Sequence, residues 1–157
     1  MLHTIKKLIS SSLPGDTGNN HGERKHGREL AAVALFVEVL KSDYEYKDEE
    51  WAAVRRSISE IFDLDADEIE AVTALAEEEV DNAVSLYGFT RIINDEFSSD
   101  EKNRIVEMLW RIALADGVID KHEHHIMRKI ASLLHIPHKD YIHAKQRARL
   151  HMSGRTA

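Results

Sequence analysis

The chain has 157 residues, of which 43% are hydrophobic and 31% are charged, and its formal net charge is −7. This balance predicts a soluble globular protein with a sizeable core and excludes general disorder. The absence of cysteine excludes disulfide bonds, cysteine nucleophiles and thiolate metal sites.

The N-terminal region differs in composition from the rest of the chain. Residues 2–9 place four apolar side chains at the spacing of a short helix: Leu2, Ile5, Leu8 and Ile9. Residues 10–27 hold four of the seven glycines and one of the two prolines, which is typical of a linker. We therefore expect a short helix with a flexible linker (1–22), a compact domain (23–152) and a disordered tail (153–157).

Membrane and export signals are not evident. The longest apolar run, residues 30–37, is much shorter than the roughly 20 residues that a transmembrane helix needs. The first 15 residues have neither the apolar core nor the small-residue cleavage site of a secretory signal. We expect no transmembrane segment, and the lack of cysteine is compatible with a cytosolic protein.

Apolar side chains recur at helical spacing through the compact domain. Two stripes stand out: Leu30, Val33, Ala34, Val37 and Leu40, and then Trp51, Val54, Ile58, Ile61 and Phe62. Two pairs have the capping-box spacing that marks a helix start: Asp65 with Glu68, and Ser98 with Glu101. Residues 83–97 read as a further helix, and no stretch alternates like a strand. The fold class is therefore all-α.

The second half of the chain resembles the first. An apolar helix, an acidic turn and a second apolar helix recur after 73 residues, so that Asp43 matches Asp116 and Glu50 matches Glu123. Beyond the turn, the match of apolar residues slips by one position. The repeat predicts a compact bundle of about six to eight helices, built from two pseudo-symmetric helical hairpin halves.

The segment LADGVIDKHEHHI is the strongest candidate site. Asp116, Asp120 and Glu123 can be laid on the second half of a calcium-binding EF-hand loop, but its first and third ligand positions would be Ile112 and Leu114. It is therefore not an EF-hand. Three carboxylates still suffice for a weak calcium or magnesium site completed by water or carbonyl groups.

The same residues also have a purely structural interpretation. Gly117 would end one helix, and Asp120 would cap the next helix with Glu123 three residues later. The two interpretations are compatible. The HExxH spacing of zinc proteases is absent. His122 and His125 share a helical face near Glu123, so they form either an adventitious zinc or nickel site or, as we favour, surface histidines of a basic helix.

Charge is distributed unevenly along the chain. Residues 38–101 contain 20 acidic and 5 basic residues, whereas residues 102–157 contain 11 basic and 5 acidic residues and seven of the ten histidines. The acidic and basic segments form two solvated helical faces, or they form a bipolar surface that docks a protein partner or a second copy of the chain in a homodimer. The basic C-terminal helices also suit an alternative function in binding phosphate or nucleic acid.

No catalytic motif is apparent. The sequence offers neither a Ser–His–Asp order nor a glycine-rich phosphate loop, so we expect a protein that is not an enzyme. A metal-dependent enzyme is a further alternative.

Three features together resemble the tellurite-resistance TerB-like family over about residues 28–148: the duplicated turn, the segment LYGFTRIIN and the segment MLWRIALADGVID. Related domains precede the J-domain of some membrane-anchored co-chaperones. The resemblance implies an all-helical bundle with pseudo-two-fold halves and a cytoplasmic or membrane-peripheral location in bacteria. It implies links to tellurite and envelope stress and no established enzymatic activity. We expect a protein partner rather than nucleic acid.

The resemblance also implies a set of metal ligands, which would be Asp116, Asp120 and Glu123 in the second turn and Asp43 and Glu50 in the first. The first turn departs from the family pattern, because Tyr44 replaces the usual glycine and Lys47 replaces an aspartate. A lysine ammonium beside two carboxylates competes with a cation. We therefore expect any metal site to be confined to the second half.

Overall fold

The computed structural model describes residues 21–42, 48–83, 85–115, 119 and 121–155, which form helices and no strand. The seven helices of these residues are α1 (His21–Lys41), α2 (Asp48–Ile61), α3 (Ala66–Asn82), α4 (Tyr87–Glu96), α5 (Ser99–Ala113), α6 (Lys121–Leu133) and α7 (His138–Arg155). The predicted all-α bundle of six to eight helices is thus confirmed. The helix predicted at residues 2–9 lies outside the described residues.

Helix α1 is the centre of the bundle and contacts α2, α3, α4, α5 and α6. Every side chain from Leu30 to Val37 is buried, and so are Val39 and Leu40. The prediction of a single apolar stripe on this helix was too narrow, because neighbouring helices cover it on all sides. A helix that is apolar around its whole circumference is stable only when it is surrounded in this way.

Helix α7 packs along α5 through one face. Tyr141, Ala144 and Ala148 are buried at helical spacing, and the two alanines allow the helices to approach closely. Trp110 of α5 is 1% exposed, and its ring centroid lies 5.1 Å from that of Tyr141. This aromatic contact fixes the basic helix α7 against the core.

Both predicted capping boxes are present. The Asp65 carboxylate accepts a hydrogen bond from the Glu68 amide at 2.8 Å, and the Glu68 carboxylate accepts one from the Asp65 amide at 3.2 Å. Ser98 and Glu101 make the same reciprocal pair, at 3.2 and 2.9 Å. Each box satisfies amides that the first helical turn leaves without an intrahelical partner.

The helix predicted over residues 83–97 is shorter in the structure, where α4 begins at Tyr87. Ala83 is extended, with φ −76° and ψ 138°, and ends α3 instead. The Ser85 hydroxyl accepts a hydrogen bond from the Tyr87 amide at 3.3 Å, which helps to start α4. The apolar pattern alone did not indicate this break.

Helix α6 ends in a Schellman motif. His135 has a positive φ of 58°, and the Ile136 amide donates to the Ala131 carbonyl at 2.9 Å. The His135 amide donates to the Ser132 carbonyl at 3.1 Å. This pair of hydrogen bonds is the one that closes a helix when the following residue adopts the left-handed conformation.

Side chains from two other helices complete the end of α6. The Asn94 amide donates to the Leu133 carbonyl at 2.9 Å, and the Lys102 ammonium donates to the Leu134 carbonyl at 3.0 Å. A lysine near the negative end of a helix is electrostatically favourable. The end of α6 is therefore tied to α4 and α5.

Candidate functional site

The helices that flank the two acidic segments occupy equivalent positions in the two hairpins. The first turn lies between the end of α1 at Lys41 and the start of α2 at Asp48. The second lies between the end of α5 at Ala113 and the start of α6 at Lys121. The two helix starts are 73 positions apart, which is the offset of the sequence repeat.

Two of the predicted site residues are buried glutamates at the inner end of these turns. Glu50 is 0% exposed and Glu123 is 1% exposed, and each is the third residue of its helix. Fully buried glutamates are rare unless they are paired. Each takes part in a polar or electrostatic interaction. The repeat matches Glu50 of the first hairpin with Glu123 of the second. In the structure the two residues have the same position in their helices and are equally buried.

The remaining predicted ligands, Asp43, Asp116 and Asp120, lie outside the described residues. Among the residues that the structure does describe, no three His, Asp or Glu side chains are grouped as a metal site. His122 and His125 are exposed on α6.

Beyond the turn, the apolar match that slips by one residue pairs buried Ile58 with buried Ile130, and buried Val54 with half-buried Ile126. At the unshifted offset, Val54 corresponds to Met127 and Ile58 corresponds to Ala131, and all four side chains are buried. Both offsets therefore match buried positions of the two hairpins.

A cluster of cations on α6 and α7 was not predicted from the sequence. His124 and Arg128 lie one turn apart on α6, and Lys145 and Arg149 lie one turn apart on α7. We call these four residues, with Trp110 and Tyr141 beneath them, the Trp110 cluster. The Lys145 ammonium is 4.9 Å from the Trp110 ring centroid, and the His124 ring centroid is 6.0 Å from it. Trp110 thus brings His124 of α6 and Lys145 of α7 together.

Burial and neighbouring cations disfavour the charged forms of Lys145 and His124 in the Trp110 cluster. Burial lowers the pKa of Lys145, and nearby Arg149 and Arg128 lower it further. Burial is also the main cause of the lowered pKa of His124, with Lys145, Arg128 and Arg149 adding to the effect. No carboxylate of the described residues forms an ion pair with any of the four.

Polar atoms beneath these cations also lack hydrogen bonds within the described part of the chain. The Tyr141 hydroxyl and the Trp110 indole nitrogen are both buried without a partner there. Burial raises the pKa of Tyr141, and Arg128 partly offsets this change. The sequence signal for this cluster was the four-residue spacing on each helix, but only packing on Trp110 shows that His124 of one pair and Lys145 of the other meet.

Two other arginines, one on α5 and one on α7, form ion pairs with carboxylates. Arg147 on α7 bonds the Glu107 carboxylate at 2.7 Å. Arg111 on α5 bonds both Glu107 at 2.8 Å and Glu60 at 2.6 Å. This network joins α2, α5 and α7 and has an evident structural role.

A cavity of about 310 Å³ lies between the start of α1, the end of α2 and the start of α5. The Arg28 guanidinium stacks on the Phe97 ring at 4.4 Å and bonds Glu101 at 2.9 Å. Arg104, also on its wall, donates to the Glu60 carbonyl at 3.2 Å. Internal contacts therefore engage both arginines of this cavity.

None of the described helices combines the length and the apolar character needed to cross a bilayer. The fold is an all-helical bundle in which a helical hairpin is repeated. The first helix of the first hairpin, α1, is central and contacts helices of both hairpins. The model of a protein family described as tellurite resistance protein TerB matches residues 29–146, most of the chain. The protein therefore belongs to the TerB family. No curated protein and no solved structure matches the chain.

Proposed function

We propose that this protein is a non-catalytic member of the TerB family that binds protein partners in a response to tellurite or envelope stress. The observation that carries this proposal is the family match, which extends from α1 into α7 and thus includes both acidic turns. The uneven charge supports an interaction role. Exposed Glu70 and Glu78 lie on α3, and exposed Lys139 and Arg149 lie on α7.

A second copy of the chain is one partner that these surfaces suit. An acidic face on α3 and a basic face on α7 are complementary between molecules. Sedimentation at low and high salt tests this part of the proposal. A dimer that dissociates as salt rises is expected, because salt screens attraction between exposed charges.

We further propose that the second turn assists this function by binding calcium or magnesium weakly through Asp116, Asp120 and Glu123. Both cations prefer oxygen ligands. The support is the position of Glu123, whose carboxylate is buried in the first turn of α6, immediately after the turn. In the first turn Asp43 and Glu50 face competition from Lys47, so that site binds more weakly or not at all.

The test is genetic complementation. A strain that lacks this gene would be given wild type, Glu123→Gln or the matched control Glu50→Gln, and growth would be measured with tellurite and with an envelope-damaging detergent. Wild type and Glu50→Gln should restore growth, whereas Glu123→Gln should restore it poorly. Failure of the wild type would contradict the stress role. Full restoration of growth by Glu123→Gln would contradict only the proposed metal binding and would leave the stress role standing.

A further inference from the structure

Two helices contribute side chains to the Trp110 cluster. The Lys145 ammonium of α7 lies 4.9 Å from the Trp110 ring centroid, and the His124 ring centroid of α6 lies 6.0 Å from it. Arg128 lies one turn after His124 on α6, and Arg149 lies one turn after Lys145 on α7. Packing on Trp110 therefore brings one member of each helical pair together and places an arginine one turn away from each.

We propose that the Trp110 cluster binds a phosphate group through Arg128, Lys145 and Arg149. This site is separate from the acidic turn and does not rest on the proposed metal binding.

The composition of the cluster favours phosphate over a single carboxylate. A phosphate monoester carries close to two negative charges and three acceptor oxygens at neutral pH. Two guanidinium groups can each bond a pair of oxygens, while a lysine ammonium acts as a point charge. Arg128, Arg149 and Lys145 supply this combination.

The surroundings of the cluster increase the expected gain on binding. The aromatic floor partly removes Lys145 from water, so that a charge placed there interacts more strongly than on an open surface. A doubly charged anion would relieve repulsion among the cations.

The experiment titrates inorganic phosphate into the full chain, with sodium chloride at matched ionic strength as the reference. Binding is measured by calorimetry. It is also measured by tryptophan fluorescence in a Trp51→Phe background, where Trp110 is the one remaining tryptophan of the two in the chain. A saturable heat and a change in Trp110 emission are expected with phosphate but not with chloride.

The decisive comparison uses two double variants with the same change in net charge. Arg128→Gln with Arg149→Gln removes cations of the cluster, whereas Arg91→Gln with Lys139→Gln removes exposed cations elsewhere. Loss of each charged contact should weaken phosphate binding by about tenfold or more. The first double variant should therefore lose measurable binding, and the second should keep the affinity of the wild type.

The outcomes separate the proposal from a general effect of charge. An equal loss in both double variants, or no saturable binding by the wild type, would overturn the proposal. Co-sedimentation with phosphatidic acid vesicles, but not phosphatidylcholine vesicles, that is lost only in the Arg128/Arg149 variant would assign the site to a lipid headgroup. Binding of free phosphate without this co-sedimentation would assign it to a soluble phosphate compound.

Discussion

Glu50 and Glu123 are 73 positions apart in the sequence, yet each is the third residue of the second helix of its hairpin, and each carboxylate is buried. The two hairpins differ in the turn just before these glutamates. The first turn contains Lys47, and the second contains Asp120 at the matching position. Equivalent carboxylates therefore stand beside turns of different charge.

This difference predicts an unequal response to cations. Calcium or magnesium should raise the melting temperature of the wild type, since a ligand that binds only the folded state stabilises it. Glu123→Gln should remove that response, and the matched variant Glu50→Gln should keep it because Lys47 already disfavours a cation in the first turn. Thermal unfolding followed by circular dichroism, with and without chelator, measures the effect. A response that survives in Glu123→Gln would contradict the assignment.

The capping role of Asp120 is predicted from the sequence and can be tested beside a cap that the structure contains. Asp120→Ala and Asp65→Ala should each lower the free energy of unfolding by roughly 0.5–2 kcal/mol, the usual cost of a lost helix cap. Urea denaturation with chelator present gives both values. If Asp65→Ala is costly and Asp120→Ala is neutral, the proposed cap at Asp120 is wrong.

Glu101 should make stability depend on pH in the acid range. The hydrogen bond from the Ser98 backbone amide is the largest cause that lowers the pKa of Glu101 below its ordinary value of 4.5, and Arg28 contributes as well. Its stabilising effect is therefore complete above that value and is lost as the pH falls through the lower, folded-state pKa.

Glu101→Gln tests this expectation because glutamine keeps the acceptor of the capping box and removes only the charge. The variant should be less stable than the wild type at neutral pH by less than about 1 kcal/mol, as is usual for an exposed charge at a helix N-terminus. Denaturation from pH 7 to pH 2 should show the two proteins converging in acid. A constant difference across this range would contradict the argument.

Glu38 should have the opposite pH dependence. Burial raises its pKa above the ordinary value of 4.5, and Lys41 and Lys129 only partly offset this change. The folded state therefore binds a proton more tightly than the unfolded state, so that stability falls as the pH rises from 4.5 through the raised pKa. Glu38→Gln should be more stable than the wild type at neutral pH, and the difference should vanish below pH 4.5. Lower stability of the variant at pH 7 would show that the lysine interactions outweigh burial.

His135 is in the left-handed conformation, with φ 58°, at the end of α6. Because this conformation costs a side-chain-bearing residue roughly 1–2 kcal/mol, His135→Gly should stabilise the protein by about 1 kcal/mol. His143→Gly, within α7 and exposed, is the matched control and should destabilise it by about 1 kcal/mol. The same sign for both variants in thermal unfolding would refute this account.

Local signals in the sequence were sufficient for much of the fold. The boxes at Asp65 and Ser98 were predicted because each requires two residues at a fixed spacing, whatever the tertiary structure. The start of α4 at Tyr87 was missed because the apolar pattern continues across the break. The complete burial of α1 was underestimated because a periodic stripe shows one apolar face but not how many helices surround it.

The candidate sites were predictable to different degrees. The correspondence of Glu50 and Glu123 follows from the repeat, and their burial agrees with it. The roles of Asp43, Asp116 and Asp120 as ligands stay predictions. The Trp110 cluster depends on the approach of α6 and α7 around a residue of α5, a long-range relationship that spacing on single helices does not contain.

The central position of α1 means that the internal duplication is not a division into independent parts. Although α1 belongs to the first hairpin, it also contacts α5 and α6 of the second. A fragment that ends before α5 would expose to water much of the continuous apolar surface from Leu30 to Val37. Such a fragment should aggregate rather than fold, so the two halves can be exchanged or separated only if each is supplied with its own central helix.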